Sequence, residues 1–112
     1  MTTIFGKIIE GTIPDEKVFE NERILAFRDI HPKGPIHFLI IPKKEIADFQ
    51  AIKPEEWPLV TEMLQVAQQL AEEYGIDKSG YRLLTNCGGH SGQEVQHLHF
   101  HLIGGRRLGP MA

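Results

Sequence analysis

The stretch Gln96–His97–Leu98–His99–Phe100–His101–Leu102–Ile103–Gly104–Gly105 alternates imidazoles with apolar side chains. Alternation with a period of two marks a strand, in which residues i, i+2 and i+4 share one face. A strand from Gln96 to Ile103 turns His97, His99 and His101 to one side and Leu98, Phe100 and Leu102 to the other. The apolar side belongs to the core. The other side carries three groups that titrate near neutrality, ~6.6 Å apart along the backbone. Such a row can hold a neutral nucleophile beside a proton donor, which suits attack at phosphorus. Two other readings fit the same pattern. One is three solvated strand histidines; the other is a zinc site, although three ligands on one strand reach a single ion awkwardly and no Cys or carboxylate lies at an obvious spacing.

Upstream of the row lies Asn86–Cys87–Gly88–Gly89–His90–Ser91–Gly92–Gln93–Glu94, with three glycines in nine residues. Glycine lets main-chain N–H groups approach an anion closely, and Ser or Gln side chains add donors. Joined to three histidines on one face, the loop is expected to cradle a small anionic group.

From Ile36 to Ile41 the chain reads IHFLII between prolines, a pattern for a strand buried on both faces. His37 interrupts it and requires a partner, since burying a polar ring unpaired costs about 1–3 kcal/mol. By itself it reads as a satisfied core histidine. Between Pro54 and Tyr74, the residues Val60, Met63, Leu64, Ala67, Leu70, Ala71 and Tyr74 recur at helical spacing. Pro58 predicts an irregular first turn or a reset start there, and Gly75 a stop. A short helix over Ile4–Ile9 is capped by Thr2 or Thr3 and ended by Gly11 and Pro14. Short strands are expected at Lys17–Phe19 and Arg23–Arg28 around a turn at Glu20–Glu22, and at Tyr81–Thr85. The segment DIHPKGPIH is a connection. Helix, three strands, helix and two strands with short links predict an α+β domain around an antiparallel sheet.

The chain has 112 residues, room for one domain spanning residues 1–112. Twelve basic against fifteen acidic residues give a net charge of −3, which argues against a nucleic-acid partner. One cysteine, Cys87, points to a reducing compartment and a thiol packed as a small hydrophobe. No stretch is apolar enough to span a membrane, and the N-terminus lacks a secretory pattern. The expectation is a cytoplasmic protein without a membrane partner. His31, His90, Lys43, Lys44, Arg106 and Arg107 read as solvated.

The segment HLHFHLIGG resembles the signature of the histidine-triad (HIT) superfamily. IFGKII, LAFRDI, GPIHFLIIPKK, GYRLLTN and SGQE are similar, in order and spacing, to its Hint-type branch, from Ile4 to about Pro110. The resemblance implies a five-stranded antiparallel sheet with two helices, joined across a homodimer into ten strands. It also implies hydrolysis of purine nucleoside phosphoramidates, with acyl-nucleotides as further substrates, through a covalent nucleotidyl-histidine. No cofactor and no metal are implied. On that pattern His99 is the nucleophile, His101 contacts the phosphate and helps the amine leave, and His97 and His37 orient and proton-couple the nucleophile. Phe5, Ile8, Phe27 and Ile30, ordinary core residues on spacing alone, surround the base. Asp29 meets the ribose hydroxyls, and Asn86, Gln93 and Glu94 border phosphate and sugar. Two positions depart from many relatives: Glu94 stands for Ser, and Glu45 for His. A nucleotide-binding interaction module with incidental hydrolysis would need the same pocket.

Overall fold

The computed structural model describes residues 3–112. Helix α1 (Ile4–Glu10) starts at Thr3, whose hydroxyl accepts the Gly6 N–H at 3.1 Å. Thr2, the other candidate cap, lies outside the described residues. The helix ends at Gly11, where φ is 83° and the amide returns to the carbonyls of Lys7 and Ile8. Only glycine takes that left-handed conformation without strain.

Strands β1 (Lys17–Glu20), β2 (Ile24–Arg28), β3 (Ile36–Pro42), β4 (Tyr81–Leu84) and β5 (Phe100–Gly104) form one antiparallel sheet in the order β1-β2-β3-β5-β4. Its two faces follow the period of two. Ile24, Ala26, Phe38, Ile40, Phe100 and Leu102 bury against helix α2 (Trp57–Glu73). Leu25, Phe27, Leu39 and Ile41 bury on the opposite face with Phe5 and Ile8 of α1. His37 and His101, in register with their odd-numbered neighbours, fall on the α1 face. The α+β architecture agrees with the expectation from sequence.

The long helix begins as the proline spacing required. Pro54–Glu56 make a separate 3₁₀ turn in which the Glu56 carboxylate accepts the Lys53 amide at 2.8 Å. The α-helix then starts at Trp57, so Pro58 sits in its first turn, where no amide is needed. Its buried stripe differs by one place from expectation: Leu64 is 40% exposed, and Val66 takes the inward position. Val60, Met63, Ala67, Leu70 and Ala71 are buried as expected, each large side chain contributing about 1.5–3 kcal/mol.

The histidine strand is shorter than its sequence pattern, because regular pairing begins at Phe100 instead of Gln96. The cause is Pro42 at the end of β3. Ile40 pairs with Phe100, so the next rung would bring Leu98 opposite Pro42, which has no amide to donate. The Leu98 N–H turns instead to the Ile46 carbonyl at 2.6 Å. Cys87 is exposed, not packed, since the glycine loop it introduces lies outside the core. Lys43 and Lys44 are drawn into ion pairs with Glu20 and Glu56, both at 2.7 Å.

Close approach fixes one glycine of β5. A Cβ on Gly104 would stand 2.9 Å from Ile76 Cδ1 and 3.3 Å from the Gly80 carbonyl oxygen. Gly104→Ala is expected to destabilise by about 1–3 kcal/mol through overpacking. Urea unfolding would read this as a lower midpoint at unchanged slope.

Candidate active site

The α1 face of the sheet is open beside the helix, forming a cavity of about 540 Å³. Phe5, Ile8, Phe27, Asp29, Ile30, His37, Asn86, Glu94, His99 and His101 all line it, whereas Gln93 and His97 do not. Phe5 meets Phe27 edge-on at 5.6 Å and His99 at 5.0 Å. Ile30 is 80% exposed and belongs to the rim.

Three of the four histidines meet in a row. His99 and His101 lie 5.0 Å apart between ring centres, and His37 Nε2 is 2.9 Å from His101 Nδ1. The fourth stands apart. His97 is fully buried and is not on the cavity wall. Its Nε2–H donates to the Pro42 carbonyl at 2.8 Å, and its Nδ1 is buried without a partner. The strand therefore does not present three imidazoles to one ligand; it presents two, with His37 from β3 alongside.

His97 reaches the site through its main chain. Its carbonyl accepts a hydrogen bond from His99 Nδ1 at 2.6 Å. A carbonyl can only accept, so Nδ1 carries the proton and the lone pair of neutral His99 lies on Nε2. The Thr85 hydroxyl donates to the His99 carbonyl at 2.7 Å, which holds the backbone beyond the regular ladder. The Gln93 side chain is likewise committed internally. It accepts the Gly88 amide at 2.8 Å and donates to the carbonyls of Val95 and Ala47 at 3.0 and 3.1 Å, so it braces the glycine loop.

Burial sets the charge of the site. His37, His97 and His99 are all held below the ordinary imidazole value, chiefly because the charged ring would lose water. His101 is pushed down to about 4, first by burial and then by His99 and His37 beside it. Asp29 works against this: its carboxylate is 3.4 Å from His37 Nε2 and raises the affinity of His37 for a proton. The other carboxylate oxygen accepts the His31 amide at 2.8 Å, fixing the turn after β2. Among the described residues, Asp29, His37 and His101 bring three potential metal-ligand atoms within 4.8 Å of one another.

Sequence reasoning missed several wall residues. Leu39 and Ile103 share the face of His37 and His101 and could have been found by alternation. Asp15, Lys33 and exposed His31 reach the cavity through irregular segments, for which period gives no signal.

Comparison with known proteins identifies the family. The HIT domain family matches residues 10–108. The chain is 47% identical over 109 residues to the purine nucleoside phosphoramidase of Escherichia coli K12, covering 97% of this chain and 92% of that protein. It is 51% identical to a HIT-like protein of Chlamydia pneumoniae, covering 98% and 99% of the two chains. Among solved structures, a HIT family hydrolase from Legionella pneumophila superposes with a TM-score of 0.91 at 47% identity, covering 93% of each chain. A histidine triad protein from Clostridium difficile gives 0.95 at 41% identity, covering 100% of this chain and 97% of that one. With the fold, the histidine row and these matches in accord, the chain belongs to the HIT domain family.

Proposed function

We propose that this protein is a hydrolase that cleaves the P–N bond of purine nucleoside phosphoramidates by double displacement. The observation that carries the reading is the hydrogen bond from His99 Nδ1 to the His97 carbonyl. It leaves the lone pair on Nε2 of a ring that forms part of the cavity wall. That nitrogen attacks the α-phosphorus, the P–N bond breaks, and the nucleotide becomes attached to His99. The departing amine takes up a proton. Water then attacks phosphorus, releases a proton and frees the nucleoside monophosphate, restoring His99. Positioning supplies most of the acceleration, because the nucleophile is held at one orientation beside the phosphate.

In this reading Phe5, Ile8, Phe27 and Ile30 enclose the purine, and Asp29 accepts from the ribose hydroxyls. Asn86 and Glu94 border sugar and phosphate, while Gln93 shapes the loop that receives the phosphate. His101 contacts the phosphoryl oxygen and assists departure of the amine. His97 and His37 are positioning residues. The relative from E. coli, named for phosphoramidase activity, supports the substrate class.

The protein works as one domain within a homodimer. Strand β4 is a sheet edge, and its Tyr81 and Leu83 are 42% and 37% exposed; pairing β4 with β4 of a second copy would give ten strands and cover them. Sedimentation equilibrium at micromolar concentration reads this directly, a monomer being the contrary result. A cytoplasmic location is part of the same proposal; as a separate fact, no helix among the described residues is long and apolar enough to cross a membrane.

The deciding experiment mixes the protein with a phosphorus-labelled adenosine phosphoramidate and quenches within one turnover. An acid-labile, base-stable label on His99, forming and decaying as fast as turnover, is the expected result. Tight nucleotide binding without such an adduct would instead mark a binding module.

A further inference from the structure

Of His37, His97, His99 and His101, three rings accept from or donate to the main chain, and one of those contacts has a sense opposite to the others. The Lys33 amide donates to His37 Nδ1 at 3.0 Å. A ring nitrogen that accepts from an N–H carries no proton of its own, so neutral His37 is protonated on Nε2. That proton faces His101 Nδ1 at 2.9 Å, which must then accept, leaving the proton of neutral His101 on its Nε2. We propose that the main-chain N–H of Lys33 is a positioning group that locks the tautomer of His37 and, through it, the direction of the row Lys33–His37–His101 toward the substrate. The proposal rests on the hydrolase reading for its catalytic meaning but on geometry alone for the tautomers.

Two consequences separate this row from a generic histidine cluster. The first concerns proton supply. Were His101 to become an imidazolium, its Nδ1–H would meet the Nε2–H of His37 head-on. His37 cannot turn its proton to Nδ1 without losing the Lys33 amide. His101 therefore acts as a fixed hydrogen-bond donor to the phosphoryl oxygen and the departing nitrogen. The amine takes its proton from water, and the water that hydrolyses the nucleotidyl-histidine returns one, so the count closes. The groups facing this pair are Asp29, Lys33 and His99, of which Asp29, 3.4 Å from His37 Nε2, favours a proton on that nitrogen by its charge.

The second concerns metals. Asp29, His37 and His101 have the composition of a zinc seat, yet the lock removes the lone pair from His37 Nε2. A cation there must either displace the Lys33 amide or convert His37 to an imidazolate. The same main-chain group that aims the row thus keeps a transition metal from capturing it.

Long-range ¹H–¹⁵N correlation spectra of histidine-labelled protein read tautomers directly and need no substitution. At neutral pH, His37 and His101 are each expected to show a pyridine-like Nδ1 and a pyrrole-like Nε2. A protonated Nδ1 on His37 overturns the proposal. The lock itself is tested by removing the donor, either with an ester in place of the 32–33 peptide bond or with Lys33→Pro. His37 is then expected to shift to the Nδ1–H form or to exchange between forms, kcat to fall about tenfold at similar KM, and bound zinc to survive dialysis. Unchanged tautomers in the altered protein would overturn the role of Lys33. If neither altered protein folds, the native spectrum still decides the direction of the row. Locked tautomers without phosphoramidate turnover would sink the hydrolase reading alone; turnover with the opposite tautomer would sink only the lock.

Discussion

Replacing His99 by alanine is expected to lower turnover of an adenosine phosphoramidate by on the order of 10³-fold or more. The magnitude follows from what disappears. The Nε2 lone pair faces the cavity because the Nδ1–H of His99 donates to the His97 carbonyl, and neither neighbouring ring of the row offers an equivalent atom. His101 has its Nδ1 engaged by His37, and His97 is off the cavity wall. Loss of the ring also leaves a space bordered by Phe5, 5.0 Å from the missing imidazole. Free imidazole fits such a space, so millimolar imidazole should restore part of the lost rate in His99→Ala. Retention of native turnover by the variant would refute the assignment. A slow variant that still forms the nucleotidyl adduct would place the nucleophile elsewhere.

Acid should weaken the fold in a window set by the histidines, well before the carboxylates respond. Each of the four rings near the site binds a proton less readily in the folded protein than the ordinary value of 6.5. Above that pH both folded and unfolded chains hold neutral rings, and the histidines add no slope. As pH falls below 6.5 the unfolded chain takes up protons that the folded one refuses, so stability declines. For His101 the window runs from 6.5 down to about 4, a loss on the order of 3 kcal/mol at 1.36 per pH unit. That is a large share of the ~5–15 kcal/mol typical of a domain. Glu20, Glu56 and Glu62 are held below 4.5 by their basic partners, so their contribution is lost only at still lower pH. Urea midpoints between pH 7 and 4 should therefore fall steadily across the histidine window. Constant midpoints down to pH 4.5 would contradict the buried neutral state of these rings. The same state keeps His99 unprotonated in mild acid, so the acid limb of kcat/KM should lie below 6.5.

Much of this arrangement is legible in the sequence because alternation reports faces. His37 and Leu39, or His101 and Ile103, differ from their neighbours by one step, and a step of one in a strand is a change of side. The two layers of core and the open face beside α1 follow from that rule. The rule stops holding where a single residue intervenes. The pattern at His97 and His99 continues the alternation of β5, but the partner needed to make it a strand ends at Pro42. Leu64 and Val66 show a related limit: both fit a broad apolar stripe, and only the path of α2 across the sheet chooses between them. The tautomers were out of reach for a different reason. They are set by the carbonyls of His97 and Pro42 and the amide of Lys33, groups that every residue possesses and no side-chain pattern encodes. Only the HIT resemblance gives His37 and Asp29 expected roles; spacing alone assigns them to core and turn.

Pro42 has a further consequence. By denying the sheet one more rung, it separates the part of the chain that bears mechanical integrity from the part that brings His99 to the cavity. From Phe100 onward the chain is paired on both sides, with β3 and β4; His97 to His99 hang from the sheet by individual tethers at Pro42, Ile46 and Thr85. The orientation of His99 can thus be retuned one tether at a time, while the ladder that carries the fold stays whole.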